Sequence, residues 1–352
     1  MGGHVLLCPK CGHIVIKYNS CRRRFCPQCA GMITNEWLEK QKQRLLDVSH
    51  FHIIFTIPEE INPLWLKNNY RMANLLFKAV DKSLEYFLKD PRWLGAKPGK
   101  IMVLQTWDSK LNLHPHIHVL LTAGGIDENN NWIDITRNTV LPVKPLMNVF
   151  RAKFISIIRQ NIFSGKIEYP LGEDSVSLDK TLSDLFFKNW NVFALPKYPQ
   201  GCGVTQYLAS YIRGTPVKDK HILYYDDQML VLSCRDKRIH DGIEKKGKIT
   251  LTINQFLQRL LLHFPPYQLR LVRYYGIYHP KNCNILKRLQ LLFNKQPDIN
   301  FESSNYSFDK LTPEELRCPN CGTIRNFLKD LKPDELLAYE NILSGKDPPK
   351  AA

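Results

Sequence analysis

Leu113-His114-Pro115-His116-Ile117-His118-Val119-Leu120-Leu121 alternates imidazoles with aliphatic side chains. Successive side chains of a strand point to opposite faces, so His116 and His118 share one face while Ile117, Val119 and Leu121 turn to a core. Two neutral imidazoles on one face can hold one divalent ion. A pair of satisfied surface or core histidines is the plainer reading of His-x-His taken alone. His114 joins the same face if Pro115 keeps the alternation, and Gln105 on the preceding strand is the other candidate third ligand.

Outward from this strand, Ile101 to Trp107 reads as its neighbour, and the polar link Asp108-Ser109-Lys110 predicts a hairpin between them. Phe51-His52-Ile53-Ile54-Phe55-Thr56-Ile57 reads as a buried strand ended by Pro58. Apolar residues at helical spacing predict helices over 31–48, 63–89 and 145–163. A turn at Asp127 to Asn131 precedes renewed order at Trp132-Ile133. The Gly-rich break at 200–203 leads into a helix from Thr205 to about Ile212. Tyr224 to Ser233 reads as a hairpin around Asp226-Asp227, and Asn254 to Leu262 as a helix closed by Pro265-Pro266. Strand, helix, strand, strand, helix is the order of an α+β fold, an antiparallel sheet with helices on one face.

The 352-residue chain is 44% apolar and 23% charged, ordinary for a globular protein. Its 49 Lys and Arg against 33 Asp and Glu give a net charge of +16. Such a surface attracts polyanions, nucleic acid first and an anionic membrane second. No apolar run approaches the eighteen or so residues of a spanning helix. The start, Met1-Gly2-Gly3-His4, has no signal-peptide pattern, and Leu6 stands where a myristoylation signal needs Ser or Thr. The expectation is a soluble, cytoplasmic protein with no membrane partner. No P-loop pattern is present, so no ATP is expected.

Five of the ten cysteines lie between Cys8 and Cys29. Cys8-Pro9-Lys10-Cys11 and Cys26-Pro27-Gln28-Cys29 are two knuckles whose four thiolates would make a closed set for structural Zn²⁺. A redox dithiol or buried thiols are the alternatives. Gly12 follows the first knuckle, where positive φ is often needed. Cys21 replaces one ligand or packs. Arg22, Arg23 and Arg24 between the knuckles are candidates for phosphate contact, against a solvated basic loop. Cys318-Pro319-Asn320-Cys321-Gly322 is half of a further zinc site. No second Cys-x-x-Cys lies near it; Cys202, Cys234 and Cys283 are distant in sequence, and His279 is a possible helper.

Tyr207 and Tyr211 stand four apart in Gln206-Tyr207-Leu208-Ala209-Ser210-Tyr211-Ile212-Arg213, one turn apart on a helix face. Packing is the plain reading of such a pair. The chemical one is nucleophilic: a tyrosine oxygen can attack a phosphodiester and conserve the bond energy in a covalent link, given a cation nearby.

Taken together these features resemble the insertion-sequence transposases of the two-tyrosine, His-hydrophobic-His type. The likeness runs through Tyr18-Asn19-Ser20-Cys21-Arg22-Arg23-Arg24-Phe25-Cys26-Pro27-Gln28-Cys29, Gly95-Ala96-Lys97-Pro98-Gly99, Val103-Leu104-Gln105-Thr106-Trp107, His114-Pro115-His116-Ile117-His118, Gly124-Gly125, Tyr207-Leu208-x-x-Tyr211 and Leu271-Val272-Arg273-Tyr274-Tyr275-Gly276. It implies a palm of antiparallel strands with the His-x-His strand central. It implies that His116 and His118 hold Mg²⁺ or Mn²⁺ and that Tyr207 and Tyr211 are the nucleophiles. It further implies 5′-phosphotyrosine links on single-stranded DNA and a rolling-circle-like route of transposition. The chain then divides into a zinc-binding module and helix (1–48), a nuclease core with the tyrosine helix (49–280) and a C-terminal region with a Cys pair (281–352). Two other readings share parts of this pattern: a non-catalytic zinc-dependent DNA-binding regulator, and a plasmid replication initiator with the same chemistry.

Overall fold

A computed structural model describes residues 2–19, 37–38, 40–41, 43–198, 215–218, 221–235, 246–293 and 316–336. The chain begins with β1 (Gly3–Leu7) and β2 (Ile14–Tyr18), then β3 (His50–Thr56), α1 (Asn62–Lys67) and α2 (Asn69–Leu88). A hairpin of long strands follows, β4 (Lys97–Trp107) and β5 (Leu113–Ile126), then β6 (Trp132–Asp134), α3 (Val143–Phe163), α4 (Ser175–Phe187) and β7 (Asn191–Ala194). Next come β8 (Ile222–Tyr225), β9 (Met229–Arg235), β10 (Lys246–Thr252), α5 (Ile253–Leu261), β11 (Val272–Gly276), α6 (Cys283–Leu292) and β12 (Asn326–Leu331).

The chain separates into two compact units, 31–298 and a second made from both ends, 1–30 with 299–352. The C-terminal stretch therefore shares a unit with the N-terminal cysteines, where the sequence suggests a separate region from 281 onward. Pairing of β12 with β1 brings this about, a long-range contact that no local pattern announces.

In the larger unit the main sheet runs β11-β4-β5-β3-β7, with β6 added on β5. All its pairs are antiparallel, and the His-x-His strand β5 is central. Phe51, Ile53, Phe55, Met102, Leu104, Ile117, Val119 and Leu121 line one face and are buried in the principal core with α2 and α3. Burying each such side chain stabilises by roughly 1.5–3 kcal/mol, which fixes the register, since a slip of one residue would expose the whole set. The opposite face is covered at one end. There Ile101, Val103 and Leu120 pack with Trp37, Leu45, Leu46, Tyr278, Leu286 and Leu289. Helices on one face alone, as expected from sequence, is thus corrected: α6 and the 37–46 stretch cover part of the second face.

The expected strands over 50–57, 101–107 and 114–122 are present, and the last two extend further. Their hairpin turns as expected, with Asp108 Oδ1 accepting from the backbone N–H of Lys110 and of Asn112 at 2.8 Å each. Leu111 at the turn is buried with Val217, Leu230, Leu232 and Leu251, which seats the small sheet β10-β9-β8 on the hairpin tip. The single helix expected over 63–89 is broken at Asn68. Its side-chain amide donates to the carbonyls of Leu64 and Glu168 and accepts from the Glu168 N–H, competing with helix continuation. Of the expected helix 31–48, the described residues from 37 to 44 are helical, and the chain leaves the helix at Leu45.

The Gly124-Gly125 and Gly276 positions have a packing reason. A Cβ on Gly124 would meet the Trp132 ring at 2.5 Å, and one on Gly276 (φ +60°) would meet the Pro98 carbonyl oxygen at 1.8 Å. Gly276 thus lets β11 close against β4, so a motif quoted for its likeness turns out to be an edge-strand device.

Candidate functional site

The other end of the second sheet face carries the polar constellation. In the ladder, β5 residue His116 lies opposite Gln105 of β4 and Thr56 of β3, and His118 lies opposite Val103 and Ile54. Alternation puts His52, His116, His118 and Gln105 on this one face. All four are buried, in the middle of a sheet rather than on an exposed rim.

Each imidazole is held by a specific partner. His116 Nδ1 donates to the carbonyl oxygen of its own strand neighbour His114 at 2.6 Å. That fixes the tautomer and leaves His116 Nε2 as a lone-pair donor. His118 Nδ1 lies 2.9 Å from His52 Nε2, with the two rings stacked at 5.1 Å and an interplanar angle of 4°. His118 Nε2 lies 3.2 Å from Gln105 Oε1. If Nδ1 of His118 donates to His52, Nε2 and the amide oxygen are two lone-pair donors side by side. An octahedral ion with ligands at about 2.1 Å separates adjacent donors by about 3.0 Å, close to this spacing. The His116 and His118 rings are 4.9 Å apart. The His118 and Gln105 pair therefore fits two adjacent positions around a hard divalent cation, with the His116 ring alongside.

Of the two candidate third ligands, Gln105 places its side-chain oxygen beside His118 Nε2. Among the described residues, the three histidines of β5 do not form a group of converging metal-ligand atoms. His114 is at ring distance from His116, 5.3 Å, and its carbonyl serves the His116 tautomer. His52 was not singled out in the sequence. The available signal is an imidazole in the middle of an otherwise apolar strand, which has to find a buried partner.

Burial keeps the constellation neutral. It brings His52 down to about 3, with the neighbouring His116 adding to the effect. Burial brings His116 down to about 4 and pushes His118 well below its ordinary value of 6.5. Neutral imidazoles are the form that ligates metal, so no proton has to be displaced at neutral pH. The same shifts set a pH dependence of stability. Above pH 6.5 folded and unfolded chains are both unprotonated at these sites, and the contribution is fully present. As pH falls below 6.5 the unfolded chain takes up protons that the folded chain does not, and stability is lost down to the folded values, by at most about 1.4 kcal/mol per unit for each group. Without added divalent ion, the urea midpoint should be clearly lower at pH 5 than at pH 7. An equal or higher midpoint at pH 5 would contradict this account of the site.

Tyr207 and Tyr211, and Arg22, Arg23 and Arg24, lie outside the described residues, as do Cys21, Cys26, Cys29 and Cys202. Among the described tyrosines, Tyr278 is a structural residue. Its buried hydroxyl accepts from the Leu46 N–H at 3.2 Å and sits 2.9 Å from His50 Nε2, and burial makes it a weaker acid than usual.

In the unit built from the two chain ends, Cys8 and Cys11 meet Cys318 and Cys321. Sulfur separations are 3.4 Å for Cys8–Cys321, 3.5 Å for Cys11–Cys318 and 3.7 Å for Cys11–Cys321. Cys8 and Cys11 thus face a second pair, Cys318 and Cys321; Cys26 and Cys29, the pair expected from the sequence, lie outside the described residues. The second pair comes from the far end of the chain, because the sheet β12-β1-β2 carries it there. A tetrahedral zinc with bonds of about 2.3 Å has sulfur–sulfur edges of about 3.8 Å, so these thiols fit zinc.

Comparison with known proteins agrees with this architecture. Residues 99–285, which hold β5 with His116 and His118, match the family described as "Putative transposase". Residues 1–57 match the family described as "Transposase zinc-binding domain". A Sinorhizobium fredii protein named "Putative transposase y4qJ" is 30% identical over 334 residues, covering 91% of this chain and 83% of that one. The "Transposase for insertion sequence element IS801" of Pseudomonas savastanoi pv. phaseolicola is 24% identical over 327 residues, covering 89% of this chain and 75% of its own. No solved structure matches the chain. The two family matches and the relatives define a DNA transposase. The chain belongs to the IS91 and IS801 group of insertion-sequence transposases. No helix among the described residues is long and apolar enough to cross a membrane.

Proposed function

We propose that this transposase nicks and rejoins single DNA strands through 5′-phosphotyrosine links, moving its element by a rolling-circle-like route. The observation that supports this most is the buried, neutral pair His116 and His118 on one face of the central strand, with Gln105 of the neighbouring strand beside His118. A DNA-binding regulator assigns this set no task, whereas neutral imidazoles beside an amide oxygen are a ligand type that suits a divalent ion. His116 and His118, with Gln105 as third ligand, would hold one Mg²⁺ or Mn²⁺, which offsets charge on the scissile phosphate.

Tyr207 and Tyr211 then do the covalent work. The phenolic oxygen of one tyrosine bonds to phosphorus, the bond to the 3′ oxygen breaks, and the proton lost by the phenol balances the one gained by the released 3′-hydroxyl. The reverse attack by a 3′-hydroxyl restores a phosphodiester and frees the tyrosine, so no ATP is consumed. The second tyrosine permits a second cut while the first strand is still held. Arg22, Arg23 and Arg24 supply phosphate contacts that set affinity rather than chemistry. His52 orients His118.

The test is incubation with a labelled single-stranded oligonucleotide carrying an element end. A covalent protein–DNA species should survive denaturing electrophoresis in the presence of Mg²⁺ or Mn²⁺ and be absent with EDTA. Nicking with equal yield in EDTA, or nicking with no covalent species, would overturn the proposal.

A further inference from the structure

We propose that Cys8, Cys11, Cys318 and Cys321 hold a single Zn²⁺ that ties the two ends of the chain into one ribbon. The zinc module is then completed by the C-terminal segment and is not contained in residues 1–57. The metal class follows from the zinc-binding domain match; the proposal does not depend on the phosphotyrosine chemistry.

The two knuckles are copies of one another. Cys8-Pro9-Lys10-Cys11-Gly12 and Cys318-Pro319-Asn320-Cys321-Gly322 share the pattern Cys-Pro-x-Cys-Gly, whereas Cys29 is followed by Ala30. Their backbones are closed by the same bonds. The Gly12 N–H donates to the Cys8 carbonyl at 3.0 Å, and the Gly322 N–H donates to the Cys318 carbonyl at 2.8 Å. The Cys8 N–H donates to the His13 carbonyl at 2.9 Å, and the Cys318 N–H donates to the Thr323 carbonyl at 2.8 Å. Both glycines have a φ of 71°, the left-handed conformation that a Cβ would disfavour. Two knuckles of this kind facing each other present four thiolates at tetrahedral corners.

The sheet supplies the frame. β1 pairs with β12 from Gly3–Leu331 to Leu7–Asn326 and with β2 on its other edge, so each knuckle leaves the sheet at the same end. Val5, Leu6 and Leu331 of these strands are buried. This small unit has a thin core, and a metal is the usual supplement to one. Disulfides do not describe the cluster: separations of 3.4, 3.5 and 3.7 Å exceed the roughly 2.05 Å of a sulfur–sulfur bond, and Cys11 is near two partners.

Alkylation of full-length, zinc-loaded wild type tests the set without any variant. Cys11 is exposed, as is Cys283 elsewhere in the chain. Burial therefore cannot protect Cys11, but metal ligation can. Brief treatment with iodoacetamide followed by peptide mass mapping should modify Cys283 and leave Cys8, Cys11, Cys318 and Cys321 at least about tenfold slower. Zinc removal by a chelator should release all four together. Cys318 and Cys321 reacting as fast as Cys283 while Cys8 and Cys11 stay protected would overturn the proposal, and so would rapid reaction of all four. As a second measurement, Cys318→Ser with Cys321→Ser should lower the zinc content by one ion per chain, and Cys283→Ser should not. A double variant with wild-type zinc content contradicts the set.

Discussion

A His118→Ala chain is expected to lose cleavage of single-stranded substrate by a factor on the order of 10²–10³ or more, with oligonucleotide binding changed by no more than about twofold. The chemistry is expected to depend on the ion at His116 and His118, whereas affinity comes from a chain of net charge +16. His116→Ala should behave alike, because its Nε2 is the free ring nitrogen once Nδ1 has donated to the His114 carbonyl. His52 should differ from both. It touches His118 and not the ion, so His52→Leu should raise the Mn²⁺ concentration needed for half-maximal nicking by roughly 10–100-fold and leave the rate at saturating Mn²⁺ close to wild type. A merely structural role would lower the saturating rate and leave the Mn²⁺ dependence unmoved. Wild-type cleavage by either Ala variant with Mg²⁺ present would remove these histidines from the site.

Substituting both tyrosines is the second change of large effect. Tyr207→Phe together with Tyr211→Phe should form no covalent adduct at all, since Phe retains the ring and loses only the attacking oxygen. Either single variant should still nick an oligonucleotide. A complete transposition event needs two strand transfers, so each single variant should fail there. A single variant that transposes at wild-type frequency would show that the pair does not act in sequence.

The parts legible in the sequence are those whose signal is local. Alternation in 113–121 announced both the strand and which face holds His116 and His118, because the period of two is a property of the backbone itself. The Asp108 turn was legible for the same reason, since its side chain bonds only to neighbours. What escaped was set by contacts between distant segments. His52 reads as one more residue of a buried strand until β3 is paired with β5, which brings it against His118. Cys318 and Cys321 read as half a site until the β1–β12 ladder brings them to Cys8 and Cys11 from the far end of the chain. The break at Asn68 likewise needed Glu168, a hundred residues away, to hold the side chain out of the helix.

If a tyrosine of the pair becomes joined to DNA, mapping the adduct will identify it. Wild-type protein is reacted with a labelled single-stranded element end and Mn²⁺, digested with protease and nuclease, and the nucleotide-bearing peptide is sequenced by mass spectrometry. The expected product is a nucleotide phosphate on Tyr207 or Tyr211. A phosphate mapped to any other residue, or cleavage that proceeds with no adduct, would contradict it.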